Sequence, residues 1–308
     1  MSTAPTTAIS RDPATGQQIA SHPFATAAEL ETLLQRGQAG FAAWSTQPLE
    51  ARAAVLRAMA AVLRRDREPL AALATAEMGK VHAESLAEIE KCALLCDWYA
   101  ENGAQFLRDE PTQVANDKAY VSYLPLGVVL VIMPWNFPYW QVMRAAVPIL
   151  MGGNGFLLKP AENIVGTAQL LDAAWREAGL PDGTFIAANI SREGTSAAIA
   201  DDRIAAVTLT GSVAAGRSIA AQAGQALKKV VLELGGYFGA RLLEAGRDVT
   251  FLVRPARAAK LAARGLSVRS PVGDLQIDAP QTVTADALAA AGPFDLVLPS
   301  ATAYDLDP

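Results

Sequence analysis

From Gly127 onward the chain alternates five short apolar runs with helical segments, and this alternation limits the possible folds more than any other feature. The runs cover residues 128–133, 155–158, 184–188, 205–209 and 229–234. Helical spacing covers 139–150, 164–178, 195–200 and 214–224 between them. Near-continuous apolar strands joined by crossover helices predict a parallel sheet covered on both faces, a Rossmann-like α/β architecture. Ligands in such sheets sit outside the carboxyl ends of the strands, so chemistry is expected just after each run.

Ahead of the sheet, residues 26–44 and 49–65 carry apolar side chains at helical spacing, 70–77 adds further turns before Gly79, and 84–107 reads as one more helix. An irregular leader is expected before this helical layer. Residues 120–123 alternate like an exposed strand ahead of Pro125. Cys92 and Cys96, the only cysteines, stand at i and i+4 and are expected to share a core face as reduced thiols. His22 and His82 are isolated, so no metal site is expected.

Charge narrows the partners. A net charge of -5 argues against nucleic acid or an anionic membrane surface, both of which need a concentrated basic face. Residues 119–143 contain no charge, but Pro125, Pro134 and Pro138 break them into strand, loop and helix start rather than one membrane span. The polar first twenty residues lack a secretory h-region, which makes the cytoplasm the expected compartment. Small molecules, or further copies of the chain, are the expected partners.

Four motifs follow the strands. Pro134-Trp135-Asn136-Phe137-Pro138 suits a loop that presents a side-chain amide, and equally a rigid turn with buried aromatics. Lys159-Pro160-Ala161-Glu162 sets a cation and a carboxylate where they can bind sugar hydroxyls or phosphate, or form a solvated pair at a helix entrance. Thr210-Gly211-Ser212 before a helix offers an anion site at the helix amino terminus, and also reads as an ordinary cap. Glu233, inside the apolar run at 229–234, is either a carboxylate tuned for general-base work or a rim residue facing water.

In this order the motifs resemble the aldehyde dehydrogenase superfamily, and closely the NAD(P)-dependent succinate-semialdehyde dehydrogenases. The resemblance covers about residues 9–236 and includes Glu77-Met78-Gly79-Lys80 and Cys96-Asp97-Trp98-Tyr99-Ala100-Glu101. It implies that Asn136 holds the substrate oxyanion and Glu233 activates water, with an aldehyde and NAD or NADP as ligands. It also implies that Lys159 and Glu162 bind the adenosine ribose, Gly211 and Ser212 face the pyrophosphate, and Trp135 lines the cofactor cleft. Glu162 would favour a free 2′-hydroxyl, hence NAD over NADP. The family's nucleophilic cysteine lies downstream of the Glu-Leu-Gly-Gly motif, where this chain has no cysteine, so aldehyde oxidation is expected to be lost.

Residues from Gly235 onward resemble instead the NADP-binding start of ketopantoate reductase. They read as a helix from Tyr237, a strand over 249–253, a helix near 256–263 and a strand over 296–298, a partial second Rossmann unit. Arg254 ends the second strand, where it either selects a 2′-phosphate or joins a solvated basic helix face. Val230, Leu232 and Thr302 replace the glycines and lysine that the reductase motif needs. The expected organisation is a truncated nucleotide-binding domain over 1–236 joined to a reductase-like segment over 237–308.

Overall fold

The computed structural model describes residues 6–114, 117–234, 249–253, 255–268, 275–284 and 286–287. Contacts divide the chain into two compact units, Met1–Leu232 and Glu233–Ala301. In chain order the first unit holds β1 (Thr7–Arg11), β2 (Gln18–Pro23), α1 (Ala27–Ser45), α2 (Leu49–Arg65), α3 (Arg67–Met78) and α4 (His82–Asn102). It continues with β3 (Glu110–Val114), β4 (Asp117–Val121), β5 (Val128–Ile132), α5 (Trp140–Met151), β6 (Gly155–Lys159), α6 (Val165–Glu177), β7 (Phe185–Ala187), α7 (Arg192–Ala200), β8 (Ile204–Gly211) and α8 (Val213–Gln225). β9 (Lys229–Leu234) crosses the boundary between the units.

The main sheet has the order β7-β6-β5-β8-β9, and β5, β6, β7 and β8 pair in parallel. This is the α/β arrangement that the five apolar runs predict. β5 lies in the middle and is the most apolar run, with Val128, Val129, Leu130 and Val131 all buried. Covering each such side chain stabilises the fold by roughly 1.5–3 kcal/mol. α2, α3 and α4 pack with α5 and α6 on one face, where the Tyr139 hydroxyl donates to the Leu70 carbonyl at 2.8 Å. α1 instead runs along the face of Val128 and Ile186 and meets α5 only at its end, where the Trp44 indole N–H donates to the Leu150 carbonyl at 2.8 Å. Phe156 stacks on Phe185 with ring centroids 4.9 Å apart, joining β6 to β7.

Two sequence expectations need correction. The leader is not irregular: β1 and β2 form an antiparallel hairpin. Its turn is set by Asp12, whose carboxylate accepts the Ala14 N–H at 2.8 Å, and by Gly16 at φ 72°. Only Ala8 and Ser10 of the hairpin are buried, which leaves its apolar alternation too weak to read. The helix expected over 84–107 stops at Asn102 and tightens into a 3-10 turn, Gly103–Leu107. At Gly103 a Cβ would come within 2.7 Å of Met151 Cγ, so the backbone passes too close to α5 for any larger residue.

In the second unit the described elements are β10 (Thr250–Leu252), α9 (Pro255–Arg264), β11 (Leu266–Val268), β12 (Leu275–Ile277) and β13 (Gln281–Val283). β10 and β13 pair in parallel, and β11 and β12 antiparallel. The strand expected over 249–253 and the helix near 256–263 correspond to β10 and α9. The helix from Tyr237, Arg254, the strand over 296–298 and Thr302 lie outside the described residues.

Candidate functional site

Parallel register brings three of the motifs to one edge of the sheet. Ile132 at the end of β5 pairs with Lys159 on one side and with Leu209 on the other. The loops that follow β5, β6 and β8 therefore open from the same carboxyl edge, where a doubly wound sheet binds its ligand.

The loop after β5 is held from below. Glu88 of α4, buried with Lys80, accepts the backbone N–H groups of Tyr139 at 2.9 Å and Trp140 at 2.7 Å through Oε1. Its Oε2 accepts from the Lys80 ammonium, which also lies 3.8 Å over the Phe137 ring. A carboxylate at the start of α5 satisfies two amides that the helix cannot pair internally and meets the positive end of the helix dipole. Asn136, in the same loop, is buried at 7% exposure. Trp135 is half-buried, and among the described residues its indole nitrogen has no hydrogen-bond partner.

Lys159 closes β6 half-buried. Burial pushes its ammonium pKa below the ordinary lysine range, Glu162 pulls it back up, and Arg192 adds to the lowering. Glu162 opens a 3-10 turn, Glu162–Ile164, that runs into α6. After β8, Ser212 is the N-cap of α8 and its hydroxyl accepts the Ala215 N–H at 3.2 Å. The cap reading and the anion-site reading are compatible, because one hydroxyl leaves other first-turn amides facing outward. Gly211 needs no special backbone angle: a Cβ there would meet only the Leu209 side chain, at 3.4 Å. The fold does not require glycine at this position, and a bare backbone gives a phosphate room to approach.

Residues to which the sequence motifs assign no role hold these loops. Lys80 and Glu88 are two. Arg144 of α5 is a third, donating to Gln141 Oε1 at 2.7 Å and to Thr210 Oγ1 at 3.0 Å, so that it ties α5 to the end of β8. Burial lowers its guanidinium pKa. The available signal was spacing: Glu88, Cys92 and Cys96 fall at i, i+4 and i+8, which puts a carboxylate on a buried stripe. Glu233 lies half-buried on β9, within the second unit, and Arg254 is outside the described residues.

The two thiols are fully buried on α4. Burial raises both pKa values, helped by the carboxylates of Glu88 beside Cys92 and Asp97 beside Cys96. Among the described residues no group of three or more His, Cys, Asp or Glu could hold a metal, and no helix is long and apolar enough to cross a membrane.

The aldehyde dehydrogenase family profile matches residues 1–256, past the Gly236 limit expected from the motifs, and a ketopantoate reductase PanE/ApbA profile matches 233–308. The chain is 52% identical over 231 residues to the succinate semialdehyde dehydrogenase [NAD(P)+] Sad of Escherichia coli K12, covering 75% of this chain and 50% of that protein. It is 42% identical over 225 residues to a probable succinate-semialdehyde dehydrogenase [NADP(+)] of Synechocystis, covering 73% of this chain and 50% of that protein. The crystal structure of succinic semialdehyde dehydrogenase from Streptococcus pyogenes in complex with NADP+ is 36% identical, with a TM-score of 0.71, over 78% of this chain and 51% of that one. The chain thus spans about half the length of the curated relatives it matches.

Proposed function

Starting from a chain that belongs to the aldehyde dehydrogenase family, we propose that its first 236 residues form a nucleotide-binding half that takes NAD or NADP and carries little or no aldehyde oxidation. The observation that supports the binding half of this reading is the shared edge: Ile132 pairs with both Lys159 and Leu209, so three loops open from one end of the sheet. In this reading Lys159 and Glu162 take the adenosine ribose, Gly211 and Ser212 the pyrophosphate, and Trp135 the wall of the cleft. The donor set suits a dinucleotide, with a cation, a sugar-binding carboxylate, a helix amino terminus and the Trp135 indole N–H. The bound nicotinamide would supply hydride acceptance. Asn136 would hold an aldehyde oxygen and Glu233 a water, with a succinate-semialdehyde-like aldehyde as substrate class.

The loss of oxidation rests on the thiols. The chemistry needs a thiolate, and Cys92 and Cys96, both at 0% exposure with raised pKa values, are the only cysteines in the 308 residues. Losing an essential nucleophile costs on the order of 10^4 to 10^6 in rate. The reductase-like segment from Tyr237 is a second domain in this proposal, with Arg254 as its 2′-phosphate contact. The proposal includes a cytoplasmic setting, where both thiols stay reduced.

Calorimetric titration of the purified chain with NAD+ and NADP+, followed by an absorbance assay with succinate semialdehyde, tests both parts. Binding of at least one nucleotide without NAD(P)H formation is expected. Failure to bind either removes the nucleotide reading, and steady turnover removes the inactivity.

A second reading, subunit interaction, is favoured by one feature. The β3–β4 hairpin and the segment after it expose Tyr120 at 63%, Leu124 at 83% and Leu126 at 54%. Apolar area of that kind is costly in water and suits burial against another copy of the chain. Light scattering on the chain and on a Tyr120→Lys, Leu124→Lys variant decides it: a dimer or larger that the substitutions dissolve supports the reading, and a monomer in both dismisses it.

A further inference from the structure

Glu77 breaks two local rules. It stands in the last turn of α3, where the helix dipole disfavours a carboxylate, and only 2% of it is exposed. Such a group persists only if its surroundings compensate, and here the partners come from distant parts of the chain. Its Oε2 accepts the Thr167 N–H at 2.8 Å and the Thr167 hydroxyl at 2.6 Å, and its Oε1 accepts the Gly166 N–H at 3.2 Å. The Ser10 hydroxyl, from the β1–β2 hairpin, shares its hydrogen between Glu77 Oε1 at 3.0 Å and the Asn163 carbonyl at 3.1 Å. Gly166 makes room for this: a Cβ there would come within 2.7 Å of Glu77 Oε1.

These contacts converge on one short stretch. Asn163, Gly166 and Thr167 immediately follow Glu162, in the 3-10 turn and first turn of α6. A single buried carboxylate therefore fixes where the chain turns from β6 into α6, and with it where Glu162 stands relative to Lys159. We propose that Glu77 is a positioning residue for the ribose end of the nucleotide site, acting through the start of α6 and not by touching the ligand. The inference rests on the nucleotide reading of this sheet edge.

The consequence is a change in selectivity. Glu162 recognises a free 2′-hydroxyl and repels a 2′-phosphate, so a displaced Glu162 weakens NAD+ more than NADP+. A purely structural role for Glu77 would lower the amount of folded protein and leave the ratio of the two affinities unmoved.

The test is calorimetry with NAD+ and NADP+ on the full chain, on Glu77→Gln and on Gly166→Ala, with folding checked by circular dichroism. Glu77→Gln turns an acceptor into an amide donor that faces other donors. Gly166→Ala keeps the carboxylate but pushes it off the helix, and it covers the case in which Glu77→Gln fails to fold. In folded variants the ratio of NADP+ to NAD+ affinity is expected to rise about tenfold, equivalent to about 1.4 kcal/mol. An unchanged ratio in the folded variants, with the unsubstituted chain binding, overturns the positioning role alone. If the unsubstituted chain binds neither nucleotide, the site reading falls and this inference falls with it.

Discussion

The carboxylate of Glu88 accepts the backbone N–H of Tyr139 at 2.9 Å across 51 residues of sequence. That bond joins the helical layer to the Rossmann-like sheet at the first residue after the Pro134–Pro138 loop, with Trp140 and Lys80 completing the set around the same carboxyl group. The loop carrying Asn136 thus takes its position from a residue on another layer, and its two prolines supply stiffness rather than placement.

Glu88→Ala is expected to destabilise the chain by about 3–5 kcal/mol, because it leaves a buried ammonium and two helix amides without their acceptor. The double variant Lys80→Met, Glu88→Leu removes the stranded charge but still leaves the amides, so it should recover part of the loss. Urea titrations of the three chains measure both steps. A Glu88→Ala chain as stable as the parent would show that the ion pair contributes nothing.

Native Cys92 and Cys96 are expected to resist iodoacetamide at neutral pH and to react fully once guanidinium unfolds the chain. Both are covered, and burial holds both thiols protonated, so alkylation has to wait for local opening of α4. Mass spectrometry over a time course reads the extent. Rapid labelling of either residue in the native chain would reopen the case for a catalytic thiol.

The parallel sheet was legible because its strands are near-continuous apolar runs, and β5 through β8 fall within two residues of where the runs lie. The loop motifs were legible for the same reason: a strand end fixes where chemistry can sit. What sequence could not deliver was the support beneath them. Glu77 and Glu88 sit among helix formers in α3 and α4, and apart from Lys80, eight residues before Glu88, their partners come from 51 to 90 residues away. The β1–β2 hairpin escaped because Ala8 and Ser10 are its only buried side chains, and Ser10 meets its partner, Glu77, 67 residues further along the chain.

Gly211→Ala should leave stability within about 0.5 kcal/mol of the parent, since the added methyl meets only the Leu209 side chain at ordinary contact distance. Nucleotide affinity should nevertheless fall by roughly tenfold or more, because the methyl occupies the approach of the pyrophosphate. Paired thermal melts and calorimetric titrations separate the two effects. Equal affinity in the variant would mean that the phosphates do not pass over this backbone.

Lys159 predicts a stability effect with a definite sign. Burial lowers its folded pKa below the ordinary value of 10.5, so the folded chain releases this proton at a lower pH than the unfolded chain does. Below the folded pKa both states carry the charge, and the folded state bears the full penalty of burying it. As pH rises from the folded pKa toward 10.5, the unfolded state holds more protons than the folded one, and stability rises. Lys159→Met removes the penalty, so the variant should be more stable than the parent at pH 7, with the advantage shrinking as the pH approaches 10.5. Urea unfolding of both chains between pH 7 and that limit measures the gap. A gap that stays constant would mean that the ammonium is as well solvated in the folded chain as in the unfolded one, and a gap that widens would mean that the fold stabilises the cation at the end of β6.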